Sequence, residues 1–138
     1  MKKLLGILVI SLLLSSNAYA GWFDKDKIKV TKCYGGDHKN YKAQKKWDIA
    51  NGITKWEWEL NLKDNMAVLI VKHYGKLIMD KLPIIVKTDD YIIAKNNGRG
   101  SSFVGGSSGG DYQFDLQNEV ITTYFFKEIK LTFICNFN

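Results

Sequence analysis

Proline, arginine and histidine are all scarce in this chain, and each scarcity excludes something. Arg99 is its only arginine, so a nucleic-acid reader that gathers arginine-rich charge on one element is not expected. His38 and His73 are its only histidines, and they do not stand at helical spacing, so no metalloprotease pattern exists. Cys33 and Cys135 are its only cysteines, and neither has the close Cys or His partners of a zinc site. No metal, cofactor or nucleic acid is therefore expected. After residue 20 no apolar run is long enough for a transmembrane helix.

What is present begins with an address. Lys2 and Lys3 precede an apolar run from Leu4 to Leu14, and Ala18-Tyr19-Ala20 follows as a small-x-small cleavage pattern. Residues 1–20 read as a secretory signal peptide, with 21–138 as one mature domain, periplasmic or secreted. Residue 21 is Gly rather than Cys, so a lipid anchor is not expected, and no Arg pair precedes the apolar run. Loss of Lys2 and Lys3 takes the formal charge from +6 to +4. Its lysines are interspersed with acidic residues rather than blocked, which predicts a solvated surface with at most weak attraction to anionic surfaces.

In an exported chain, two cysteines predict one disulfide, Cys33–Cys135, tying the first strand to the last. Strict alternation from Ile28 and Val30 places Cys33 on the outer face of the first strand. Either the disulfide is buried, which needs a bulge near Thr31-Lys32, or the bond lies on the outer face.

Alternation predicts strands over Lys27–Tyr34, Lys55–Leu62, Met66–His73, Leu77–Val86, Tyr91–Lys95, Tyr112–Leu116, Glu119–Phe126 and Glu128–Phe137. Pro83 marks an edge or bulge, because it cannot donate to a ladder. One short helix is predicted over Asn40–Asn51, capped by Asn40 or Asp37, with Ala43, Trp47 and Ala50 on one side. Short turns between sequential strands imply antiparallel pairing. The fold class is mainly β: an antiparallel meander forming a small barrel, with one short helix after the first strand; a two-sheet sandwich is the alternative.

Candidate chemistry is sparse. Asn96–Asp111 is rich in Gly and Ser but lacks a Gly-Lys-Ser/Thr ending, and it leads into a strand, so it is no phosphate loop. It reads as a flexible connection, or as a lid whose Arg99 contacts a carboxylate or phosphate. Trp56 and Trp58 share the inward face of their strand, filling a core or lining a ligand cavity. Asp37-His38 offers a possible general base, but no nucleophile motif accompanies it. Glu57 and Glu59 share a solvated face with Lys55.

Three family frames bear on these residues. The order Cys33, Trp47, Cys135 departs from the immunoglobulin pattern in spacing and in having Phe133 two before the second Cys. The early Gly-x-Trp of lipocalins is absent. Cys33-Tyr34-Gly35-Gly36 with Cys135 loosely resembles the frame of the membrane-bound inhibitors of C-type lysozyme, an eight-stranded barrel. Gly98–Tyr112 does not match that family's central motifs, so no functional residue is carried over. The reading favoured is a non-enzymatic exported protein that binds a small ligand or another exported protein through Arg99, Trp56 and Trp58. The alternatives are a periplasmic hydrolase using Asp37 and His38, or a small outer-membrane β-barrel.

Overall fold

The computed structural model describes residues 25–138; the leader expected over 1–20 lies outside them. Eight strands run β1 (Lys27–Gly35), β2 (Ile53–Asn61), β3 (Met66–His73), β4 (Lys76–Lys87), β5 (Tyr91–Ala94), β6 (Tyr112–Asp115), β7 (Val120–Phe125) and β8 (Ile129–Phe137). Among the described residues a single α-helix, α1 (Tyr41–Ala50), joins β1 to β2. Each strand pairs antiparallel with its sequence neighbour, and β1 pairs with β8, closing the barrel. Closure overturns the sandwich alternative: both outer strands of the meander find a partner in each other, so no edge is left unpaired.

Closure depends on a bulge. The β1–β8 register runs Thr31↔Asn136 and then Tyr34↔Ile134, so one extra residue enters β1 between them. Lys32 absorbs it with φ +53°, in the left-handed region. The insertion turns Cys33 from the outer face to the interior, where it is buried and bonded to Cys135. The bulge expected at Thr31-Lys32 is thus present.

The interior is a packed apolar core. Ile28 and Val30 of β1, Trp58 and Leu60 of β2, Leu69 and Val71 of β3, and Phe114 and Ile121 from β6 and β7 are fully buried. The outer faces carry Lys27–Glu59 and Lys55–Glu57 ion pairs. This polarity, apolar inside and charged outside, is the reverse of that in water-filled membrane barrels. β3, apolar on both faces, also buries the outward Val68 between Glu59 and Lys81 of the flanking strands. Pro83 sits in β4 just before a register shift between Ile84 and Val86.

The two ends of the barrel differ. One is closed by short turns, where Lys87 Nζ donates to the Leu62 carbonyl and Asn65 Oδ1, both at 3.1 Å. The other, the mouth, carries α1 between β1 and β2, the β3–β4 hairpin, the segment 95–111 between β5 and β6, and the β7–β8 hairpin. Asn40 caps α1, its Oδ1 accepting from the Ala43 N–H at 2.9 Å. None of the residues of α1 is buried, including Ala43, Trp47 and Ala50. Gln44 moors the helix instead, its Oε1 accepting from the Gly35 N–H at 3.2 Å.

Candidate functional site at the mouth of the barrel

Segment 96–111 is an ordered cap rather than a flexible connection. It forms two 3-10 turns, Ser102–Val104 and Gly106–Ser108. Val104 is fully buried, and Phe103 packs against the core. The Asn96 amide donates to the carbonyls of Val104, Gly106 and Gly109 at 3.1–3.2 Å, so one side chain gathers the backbone of the loop. Thr123 Oγ1 donates to the carbonyls of Gly110 and Asp111. Glycine is needed at Gly109, where a Cβ would fall 2.3 Å from the Val104 carbonyl oxygen. The many glycines permit close backbone packing; they do not signal mobility.

The cap is tied to the barrel wall by Asp80. This carboxylate lies opposite Leu69 in the β3–β4 register and therefore faces inward. It accepts from the Ser101 N–H at 3.0 Å and from the Ser101 hydroxyl. Tyr112 lies nearby, and burial together with the Asp80 charge pushes its phenol well above the ordinary tyrosine range. Neither the inward Asp80 nor its partner Ser101 stands out in the sequence, because Asp80 occupies an ordinary alternating position of its strand.

Between α1 and the cap lies an aromatic cleft of about 270 Å³. Trp47, Trp56, Phe103 and Phe133 supply its apolar walls, and Gln44 and Asp48 its polar side. Trp56 and Phe133 are in ring contact at 5.6 Å, tilted by 39°. Gln44 Nε2 donates to Asp48 Oδ1 at 2.9 Å. Burial pushes the Asp48 carboxyl above the ordinary aspartate range, against the opposing influences of that hydrogen bond and of His38.

The residues singled out from the sequence separate here. Trp56 is half-buried at the mouth and lines the cleft. Trp58, two residues on, is 0% exposed and packs on Tyr112 and Phe114 at centroid distances of 4.9 and 5.2 Å. Its indole Nε1 is buried without a hydrogen-bond partner among the described residues. Arg99 is exposed on the cap and does not line the cleft; its backbone N–H donates to Asn97 Oδ1. His38 packs against Trp47 at 5.7 Å, tilted by 51°, while Asp37 is exposed. His73 packs against Tyr74 and Phe103. Glu57 and Glu59 face outward and pair with lysines. Among the described residues no group of three metal-ligating side chains converges.

Sequence reasoning missed Trp47, Phe103 and Phe133 as one surface. They come from α1, the cap and β8, and no local spacing connects them. The chain matches no protein-family model, no curated protein and no solved structure.

Proposed function

We propose that this protein is a non-enzymatic, exported binding protein whose ligand enters the cleft between α1 and the cap. The observation that carries this reading is the convergence of Trp47, Trp56, Phe103 and Phe133 on one opening, with Asp48 at its side. The barrel interior is filled by side chains, so the mouth is the place for a guest. A cleft of about 270 Å³ takes one ring or a short apolar body. Asp48 offers an acceptor in a partly desolvated setting, which favours a ligand bearing a hydroxyl or amine donor. The Cys33–Cys135 bond fits an oxidising, exported compartment. His38 against the Trp47 ring, rather than beside a nucleophile, gives the hydrolase alternative little support.

The test is an NMR titration of the tryptophan indole N–H signals with monosaccharides and arylalkylamines. A binder is expected to shift Trp47 and Trp56, leave Trp58 in place, and lose its effect in Trp56→Ala. If no probe moves those signals, or if Trp56→Ala binds as well as the parent, the reading fails.

A further inference from the structure

We infer that the mouth of the barrel docks end-on against an anionic phospholipid surface. The rim around the cleft supplies the contacts, and Trp47 belongs to both. Tyr74 at the tip of the β3–β4 hairpin is 76% exposed, and Phe126 at the tip of the β7–β8 hairpin is 64% exposed. In a ring of eight strands these hairpins stand four strands apart, so the two aromatic tips lie on opposite sides of the mouth. Trp47 and Ile49 of α1 stand exposed between them, on the β1–β2 side.

Both tips carry large aromatic residues where the backbone disfavours them. Tyr74 has φ +48° and Phe126 φ +51°, in the left-handed region that suits Gly or Asn. Tyr74-Gly75 occupies the two-residue turn for which Asn-Gly is the preferred pair. The Tyr74 ring also lies over Gly52, where a Cβ would fall 2.4 Å from it. Folding alone therefore favours other residues at both tips, and neither ring is buried in return.

Charge separates the same two ends. Segments 36–52, 72–76, 95–111 and 126–130, which build the mouth, hold ten Lys or Arg and four Asp or Glu. Segments 25–27, 61–66, 87–90 and 115–119, which build the other end, hold four and six. The modest net charge of the chain is thus strongly polarised along the barrel axis. Lysine is depleted in protein–protein interfaces, where aromatics are enriched, whereas aromatics and lysine together mark the lipid–water interface. A soluble polyanion would reward the lysines and leave the aromatic tips without a role. A phospholipid surface uses both: headgroups attract the lysines, and the rings enter the acyl boundary.

The experiment is vesicle co-sedimentation of the chain from Gly21 onward, which contains every described residue and the whole closed barrel. Vesicles of phosphatidylcholine are compared with vesicles of phosphatidylcholine and phosphatidylglycerol in roughly equal amounts. Binding is expected only to the anionic vesicles and should fall as salt rises. Lys45→Gln with Lys46→Gln should lower it by roughly thirtyfold, at about 1 kcal/mol for each lysine near the surface. Tyr74→Asn with Phe126→Asn should lower it by roughly tenfold or more. These two substitutions suit a left-handed backbone, so circular dichroism should show the fold retained. One lysine removed at the other end, Lys63→Gln, should have little effect, whereas Lys45→Gln alone should lower binding by roughly fivefold. Failure to sediment with anionic vesicles overturns the proposal, as does equal binding to phosphatidylcholine alone. So does binding to dextran sulfate that matches binding to anionic vesicles and survives Tyr74→Asn with Phe126→Asn, which would assign the rim to a soluble polyanion. Trp56→Ala, which tests the cleft, should leave vesicle binding unchanged, so the two proposals fail separately.

Discussion

Asp80, inside the barrel wall on β4, accepts hydrogen bonds from both the backbone N–H and the hydroxyl of Ser101, twenty-one residues further along the chain. That double contact anchors the cap over the core. A part-buried carboxylate that loses its hydrogen-bond donor is costly, so Ser101→Ala should destabilise the protein by about 1–3 kcal/mol. Hydrogen exchange should show the loss concentrated in segment 96–111, with β2 and β3 still protected. Uniform acceleration across the barrel would show that the cap is not a separate unit.

Trp58 and Trp56 should behave differently although they share a strand face. Trp58→Ala empties a fully buried site and should cost about 3–5 kcal/mol in urea unfolding. Trp56→Ala, at the half-exposed mouth, should cost less than about 2 kcal/mol. Trp58→Phe should cost far less than Trp58→Ala, because it keeps most of the ring and removes a buried N–H that has no partner among the described residues. Equal losses for Trp58→Phe and Trp58→Ala would contradict this account of the core.

The Cys33–Cys135 bond closes a loop with a sequence separation of 102 residues. On the chain-entropy view, a loop of that order contributes about 4.7 kcal/mol, and native disulfides in small exported domains contribute about 2–5 kcal/mol. Cys33→Ala with Cys135→Ala should lower stability within that range. Thiol titration of the unfolded, unreduced parent should find no free thiol. Two reactive thiols would refute the bond.

Stability should also depend on Asp48. Burial raises its carboxyl pKa above the ordinary aspartate value of 3.8. The folded chain therefore holds this proton more tightly than the unfolded chain does. Its stabilising contribution is present in acid, below the unfolded pKa, and is lost as pH rises through the higher folded one. Asp48→Asn should raise the urea midpoint at neutral pH relative to the parent, and that advantage should narrow as the solution is acidified. An advantage that persists unchanged in acid would show that desolvation of the charge is not its source.

Much of the architecture is legible along the chain. Trp58, Leu60 and Leu62 alternate with Glu57, Glu59 and Asn61, and this order reappears as buried and outer positions of β2 and the turn after it. Of the two caps the sequence offers, Asn40 and Asp37, the structure uses Asn40. The conflict between Cys33 and its strand's alternation allows a bulge near Thr31-Lys32 or an outer-face bond; the fold takes the bulge, and Lys32 carries it. The cap resists the same treatment. Its glycines and serines read as flexibility, because composition does not show that Asn96, Thr123 and Asp80 stand ready to bond its backbone.

The antiparallel meander, its helix and its disulfide follow from the sequence, and so does the choice at Cys33 between a slipped register and an outer-face bond. These follow from side-chain alternation and from bonding partners that are few enough to assign. Tertiary structure alone decided that the meander closes, that Trp58 is core while Trp56 lines a cleft, and that a basic, aromatic rim gathers at one end. Those outcomes depend on residues far apart in the chain meeting at one place. The two-residue period places a side chain inside or outside its strand, but not at a particular height along the barrel, where burial and neighbours are set.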